Sequence, residues 1–133
     1  MYLHGGHDGV VWLDDLFYLN LETFQWCKPK LKSTDPVRLG LTELPKARAC
    51  HSLTKIKKKL YLFGGAEGEN IFGDLIEFDL IEGSWIELHP KSMTPKPRNS
   101  HSACEWDGKL VLFGGHDGTH HLSELFLYEV ATK

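Results

Sequence analysis

The chain is poor in the residue patterns that mark disulfide-stabilised, membrane-spanning and catalytic proteins. Its 133 residues include only three cysteines, Cys27, Cys50 and Cys104, which are widely spaced and do not occupy matched positions. This usage favours free thiols in a reducing compartment over a disulfide framework or a zinc site. We therefore expect the protein in the cytoplasm, with the nucleus as the other reducing location.

Long hydrophobic runs and an excess of positive charge are also absent. No apolar stretch approaches the roughly 20 residues that a membrane-spanning helix needs, so we expect no membrane insertion. The formal net charge of −3 argues against a nucleic-acid partner. The three lysines at 57–59 are typical of a solvated turn or strand edge.

Motifs of catalysis are missing as well. The sequence contains no Ser-His-Asp spacing, no His-Glu-x-x-His and no glycine-rich loop followed by a phosphate-binding lysine. We therefore predict no enzyme activity, no cofactor and no metal. The best metal candidate is the group His116, Asp117, His120 and His121, for which a water-exposed histidine-rich turn is the commoner explanation.

Repetition with a period near 50 residues is the strongest positive feature of the sequence. A glycine pair occurs three times, as Gly5-Gly6, Gly64-Gly65 and Gly114-Gly115. Ten residues after the first glycine of each pair stands an acid: Asp15, Asp74 and Glu124. Further recurrences are Trp26 with Trp85, Arg48 with Arg98, and His51 with His101. A fixed period of this size indicates a repeat architecture.

Each repeat predicts four short strands, which we letter a to d. Strand a contains His-Ser, strand b is an apolar run that ends at the glycine pair, strand c follows the acid, and strand d is centred on the tryptophan. The runs suit buried strands and are too short for helices. In the second repeat, residues 47–54, 59–63, 74–80 and 84–88 should form one antiparallel sheet. Radially repeated meanders of this kind build a β-propeller.

The repeated pattern resembles the kelch repeat over nearly the whole chain. Its shared elements, in order, are a glycine pair, an acid, an aromatic-rich strand, a tryptophan, Pro-x-x-Arg or Pro-Arg, and His-Ser. The resemblance implies an all-β fold of kelch-type β-propeller blades, which are four-stranded antiparallel meanders in an incomplete ring. A WD-repeat propeller is the competitor. The period of that class is about 40–45 residues, which is shorter than the spacing found here. Its repeats also carry Gly-His before Trp-Asp, whereas in this chain Trp106-Asp107 precedes Gly115-His116.

The repeat boundaries predict how the blades divide the chain. Residues 1–31 supply strands b, c and d of a first blade, residues 45–90 a complete blade, and residues 95–131 strands a, b and c of a third. The glycine-pair spacing of 59 in place of 50 indicates an insertion loop at residues 32–44. We expect a piece of a longer propeller with more kelch repeats, and an isolated chain that is unstable or self-associates.

Residues that recur in every repeat should build the blade, whereas residues that differ between repeats are available for binding. Because strand direction alternates, the b–c and d–a loops should share one rim, with Arg48 also on it. Resemblance to kelch propellers implies a protein partner there, in an adaptor or scaffold role such as ubiquitin-ligase recruitment, actin organisation or vesicle traffic. The alternative is part of a kelch-like metalloenzyme or oxidase. The predicted partner-binding residues are His7, Asp8, Glu67, Glu69, Asn70, Arg98, Asn99, His116, Asp117, Thr119, His120 and His121.

Overall fold

The fold is all-β throughout the part of the chain that the computed structural model describes, which is residues 1–31, 45–91 and 93–130. Three antiparallel sheets and one short hairpin account for its regular structure. These residues contain no helix long and apolar enough to cross a membrane. The predicted all-β class is confirmed. The insertion loop expected at residues 32–44 lies outside the described residues.

The first sheet has three strands in the order β1-β2-β3. They are β1 (Tyr2–His7), β2 (Trp12–Leu19) and β3 (Trp26–Cys27). The register of β1 against β2 shifts between His4 and Gly6. A shift at this point is a bulge, which glycine accommodates because it has no Cβ.

The middle sheet is a four-stranded antiparallel meander in the order β4-β5-β8-β9. Its strands are β4 (Ser52–Ile56), β5 (Lys59–Phe63), β8 (Leu75–Asp79) and β9 (Ser84–Leu88). The predicted sheet of strands a to d is confirmed. Its first strand begins later than the predicted residue 47, because Ala49 instead bridges Ala66 in the neighbouring loop.

The third sheet has the order β10-β11-β12, and a small hairpin lies in the loop of the middle sheet. The strands of the third sheet are β10 (Ser102–Trp106), β11 (Lys109–Phe113) and β12 (Leu125–Glu129). The hairpin joins β6 (Ala66–Glu67) to β7 (Asn70–Ile71).

Two apolar seams pack the three sheets face to face. In the first seam, Leu60 and Phe78 of the middle sheet are buried with Leu16 of the first sheet. In the second seam, Tyr61 and Phe63 of the middle sheet are buried against the third sheet. Neighbouring residues of β5 thus enter opposite seams. This explains why the strand is a continuous apolar run, since a sheet covered on both faces has no polar side.

The outward faces of the first and third sheets carry large apolar side chains in contact with solvent. Trp26 is 51% exposed, and Phe113 of the third sheet is 52% exposed. Their counterparts Trp85 and Phe63 lie in the seams. In the described residues Trp26 therefore does not fill a space between two sheets, whereas Trp85 does.

These exposed faces predict self-association of the isolated 133-residue chain. Contiguous apolar surface that is left in water favours intermolecular contact. Sedimentation velocity over a range of concentrations should reveal oligomers, or an unfolded chain at high dilution. A dilute monomer that unfolds in one cooperative transition would contradict this expectation.

Replacing Trp85 by alanine should destabilise the protein. Its ring stands 4.7 Å from that of Phe78 and 5.7 Å from that of His4, measured between centroids, and so joins the first and middle sheets. Because the ring is only partly buried, we expect a loss of roughly 2–3 kcal/mol in the free energy of unfolding, below the cost for a fully buried ring. Chemical denaturation measures this loss.

The matched control is Asn70→Ala, because Asn70 is exposed at the tip of the small hairpin. Its effect should stay within about 0.5 kcal/mol. Equal stabilities of the two variants would show that the first seam is assigned wrongly.

Candidate functional site

The b–c loops and the segments that precede the inner strands lie side by side. Ala49 and Ala66 exchange two backbone hydrogen bonds, with N···O distances of 2.9 and 2.8 Å. Asn99 and His116 do the same at 3.0 and 2.9 Å. We call this edge the loop rim; it comprises residues 5–13, 45–51, 64–73, 95–101 and 114–123. Both kinds of loop share it, as the alternation of strand direction predicts.

A buried arginine connects the first sheet to the middle sheet at the loop rim. The Arg48 backbone N–H donates to the Leu13 carbonyl at 3.1 Å, and its own carbonyl accepts from Gly6 N–H at 2.8 Å. Its guanidinium donates to the Gly64 carbonyl at 3.0 Å and to both carboxylate oxygens of Asp74 at 2.6 and 2.8 Å. One residue thereby bonds both sheets.

Arg98 repeats this arrangement between the middle and third sheets. Its N–H donates to the Phe72 carbonyl at 3.0 Å, and its carbonyl accepts from Gly65 N–H at 2.9 Å. Its guanidinium donates to the Gly114 carbonyl at 2.9 Å and to Glu124 at 3.3 Å. Both arginine side chains are wholly buried, with 0% exposure. The prediction of Arg98 as a partner-contacting residue is therefore wrong, because its side chain is used inside the frame.

The glycine pairs permit this close approach of backbones. Gly5 and Gly64 have φ angles of +60° and +64°, which favour glycine. A Cβ on Gly5 would stand 2.6 Å from the Arg48 carbonyl oxygen, and one on Gly64 would stand 2.5 Å from that of Arg98. Any side chain at these positions would separate the sheets. The acceptors Leu13 and Phe72 were missed from sequence, although they occupy matching positions in their repeats.

Beneath the arginines lie three histidines that are held neutral. His4 Nδ1 and His51 Nε2 are 3.2 Å apart, and His101 Nε2 lies 2.9 Å from Ser52 Oγ. Burial, together with neighbouring positive charge, lowers the pKa of His4 to about 3 and those of His51 and His101 to about 4. His4 and His51 thus face each other across the first seam, and His101 faces Ser52 across the second. Because all three stay uncharged, they act as packing groups.

Acid should therefore destabilise the fold. In the unfolded chain these histidines titrate near 6.5, but in the folded chain they resist protonation to about 3–4. Their stabilisation is complete above pH 6.5 and is lost as the pH falls below it. Below pH 6.5, each of the three histidines should lower the free energy of unfolding by about 1.4 kcal/mol per pH unit.

Urea unfolding between about pH 7 and pH 5, above most carboxylate pKa values, measures this loss. His101→Gln should reduce the slope by one proton, whereas Asn70→Ala, which changes an exposed residue and removes no titratable group, should leave it unchanged. Stability that does not vary over this interval would refute the neutral-histidine assignment.

The first and third b–c turns share a side-chain frame. Gly9 N–H donates to His7 Nδ1 at 3.0 Å, and Val10 and Val11 N–H both donate to Asp8 Oδ1 at 2.8 Å. These backbone donors lower the pKa of Asp8. The two polar side chains therefore shape the turn while remaining exposed.

Asp117 has the same role in the third turn. Its Oδ1 accepts from Thr119 and His120 N–H at 2.9 and 2.7 Å, and these bonds lower its pKa to about 2. His116 Nδ1 accepts from Gly118 N–H at 3.0 Å. Of the predicted site residues in this turn, His116 and Asp117 are thus half-buried parts of its frame, whereas Thr119 and His120 are exposed at its tip.

The middle turn is built differently. Glu67 and Asn70 pair across the β6–β7 hairpin, which brings Glu69 to its exposed tip. Asn99 is half-buried and bridges the third loop through its backbone. Apart from Arg98 and Asn99, the predicted site residues therefore lie on three separate tips of one rim and not around one reaction centre.

Histidines also meet in the third turn. The rings of His116 and His121 are 4.9 Å apart between centroids, and His120 Nδ1 is 3.7 Å from Asp117 Oδ2. Beside them is an open hollow of about 540 Å³ lined in part by Asn99 and Gly115. Within the described residues, no group of three or more His, Cys, Asp or Glu side chains is placed to hold a metal ion.

Comparison with known proteins identifies the family. A family model described as the KLHDC2/KLHL20/DRC7 Kelch-repeats domain matches residues 38–133. The chain is 44% identical over 73 residues to host cell factor 2 of Homo sapiens, covering 53% of this chain and 8% of that protein. It is 34% identical over 92 residues to kelch domain-containing protein 10 of Rattus norvegicus, covering 66% and 21%.

A third similar protein is Rho GTPase-activating protein gacHH of Dictyostelium discoideum, with 35% identity over 69 residues, covering 51% of this chain and 4% of that protein. The chain thus spans at most 21% of the length of these three relatives. The chain belongs to the kelch-repeat family, and its sheets are kelch-type β-propeller blades in an incomplete ring.

Proposed function

We propose that the chain is a non-catalytic module that binds a protein partner through its loop rim. The observation that carries this proposal is a contrast within the loop rim. The buried residues that hold the loops are the same at both seams, whereas the exposed residues at the loop tips differ. Buried Arg48 and Arg98 hold the loops in the same way at both seams. The tips then present different side chains, which are Val10 and Val11, Glu69 and Asn70, or Thr119 and His120. Variable loops on a rigid scaffold are where binding usually evolves.

Apart from the exposed valines of the first tip, the surface offered to the partner is polar and rich in histidine. Its exposed members are His7, Asp8, Glu69, Asn70, Thr119, His120 and His121. The half-buried Glu67, Asn99, His116 and Asp117 border it. Mixed donors and acceptors on separate tips suit recognition of a protein surface, where several small contacts cooperate.

The biological setting is a further part of the proposal. The free thiols Cys27, Cys50 and Cys104 suit the cytoplasm or the nucleus. The relatives are much longer than this chain. We place the module in a longer protein with more kelch repeats, where the rim would serve an adaptor or scaffold, such as one that recruits a ubiquitin ligase.

Replacing His120 and His121 together by alanine should weaken partner binding without unfolding the protein. Both side chains are exposed at a tip, so the fold should tolerate their loss. Removing a contact of about 1–2 kcal/mol would weaken binding by roughly 5–30-fold. The partner is first identified by affinity purification of the full-length protein, and its affinity is then measured by calorimetry with purified components.

The control is the pair Thr23→Ala and Gln25→Ala, which changes two exposed side chains in a c–d turn at the opposite edge. Equal affinities of both double variants would refute the rim as the binding surface. Elemental analysis of the purified full-length protein tests the alternative, part of a kelch-like metalloenzyme or oxidase. Stoichiometric copper, iron or zinc that disappears in the His120 and His121 double variant would indicate a metalloenzyme.

A further inference from the structure

The first b–c turn of the loop rim has an apolar tip. Val10 is 85% exposed and Val11 is 49% exposed. The half-buried ring of Trp12 follows them and lies 4.6 Å from that of His7, measured between centroids. We call Val10, Val11 and Trp12 the apolar tip. Adjacent apolar side chains in contact with water call for an explanation, which can lie in the turn itself, in a covering blade or in a partner.

Folding of the turn does not require the two valines. In the third turn the matching positions hold Thr119 and His120, whose N–H groups donate to Asp117 Oδ1 at 2.9 and 2.7 Å. The N–H groups of the valines make the same pair of bonds to Asp8. Because backbone groups form this frame, polar side chains at both positions are compatible with it. The turn therefore does not explain the apolar character of its tip.

A covering blade does not explain the valines either. The middle turn belongs to a sheet that is packed on both faces, yet Glu69 and Asn70, at the same positions of the repeat, are exposed. These positions therefore lie beyond the packed seams. The exposure of Val10 and Val11 is thus a property of the tip, and it does not depend on which sheets adjoin the turn.

The apolar tip is held in one conformation by its own turn. Asp8 accepts two backbone hydrogen bonds at 2.8 Å, and its N–H donates to the Val11 carbonyl at 3.3 Å. His7 Nδ1 accepts from Gly9 N–H at 3.0 Å. Gly9 has a φ angle of +101°, which glycine adopts without strain. Because the turn is already ordered, binding costs little of the conformational entropy that a flexible loop would lose.

Negative charge borders the apolar tip. Residues 5–15 include Asp8, Asp14 and Asp15 and contain no lysine or arginine. Asp8 and Asp14 are exposed, whereas Asp15 is paired with Lys28 at 2.8 Å. Anionic lipid headgroups attract basic segments, so this tip is unsuited to a membrane surface. A protein pocket with an apolar interior and a basic margin is complementary to it.

We propose that the apolar tip inserts into a pocket of the partner protein, and that this pocket is apolar inside and carries basic side chains at its margin. Val10 and Val11 supply the buried contact, and Asp8 supplies the charge that orients it. The inference rests on the binding function proposed above and deepens it, since it names which of the three tips anchors the partner. The polar tips then border this contact.

The probe is the partner protein that affinity purification of the full-length protein identifies, purified for calorimetry. The test variant of the full-length protein carries Val10→Thr and Val11→His, which gives the first tip the side chains of the third and keeps its backbone frame. Binding should weaken at least about tenfold, because polar groups buried in an apolar pocket lose their hydrogen bonds to water. The heat-capacity change of binding should become less negative, since less apolar surface is buried. The urea midpoint should not change, because both side chains are exposed.

Asp8→Asn tests the basic margin of the pocket. Asparagine keeps a side-chain oxygen for the two backbone N–H groups and removes the charge. The affinity should therefore fall and should depend less on salt concentration. An affinity and a salt dependence equal to those of the wild type would overturn the basic margin.

The remaining outcomes separate this anchor from the function proposed above. If the valine variant binds the partner as the wild type does, while the His120 and His121 double variant binds more weakly, the rim binds its partner without this anchor. If neither variant loses affinity, or if the full-length protein captures no partner, the proposed function fails as well. Vesicles of phosphatidylcholine and phosphatidylserine should not bind the full-length protein. Vesicle binding that the valine substitutions abolish would overturn the proposal, since the tip would then meet a membrane surface.

Discussion

The burial of two arginine side chains is the constraint on which the rest of the structure depends. A guanidinium removed from water costs several kcal/mol unless charge and hydrogen bonds compensate for it. Arg48 obtains this compensation from Asp74 and the Gly64 carbonyl, which lie in its own sheet. Its backbone meanwhile bonds to the preceding sheet. Side chain and backbone therefore have to be satisfied together, and this is possible only when two sheets are docked.

The two arginine sites are chemically alike but unequal in strength. Asp74 binds Arg48 through both oxygens and is only 18% exposed, whereas Glu124 meets Arg98 through one oxygen at 3.3 Å and is 49% exposed. Paired, bidentate geometry is the stronger arrangement. Water screens the second pair, so it contributes less. The loops at the first seam are therefore held more firmly by Arg48 than those at the second seam are by Arg98.

Much of this frame was predictable from the sequence, since a residue that recurs with the period has to serve the repeated unit. The period predicted the meander of the middle sheet and the shared rim. Burial was harder to predict: Arg98 stands in a loop yet is covered on all sides, and Trp26 and Trp85 share a repeat position but not an environment. A repeat pattern predicts the position of a residue within its own sheet. Whether it meets water depends on the adjacent sheet, which the pattern does not describe.

Neighbouring sheets also decide whether the apolar runs are stabilising. Leu62 is buried and its counterpart Leu3 is exposed, just as Phe63 is buried and Phe113 is exposed. The same side chain contributes to stability only where another sheet covers it, because the hydrophobic contribution follows the apolar area removed from water. A blade is thus the unit that the sequence repeats, but one blade alone does not bury enough apolar surface to be stable. Stability belongs to the seams, and each seam needs residues from two sheets.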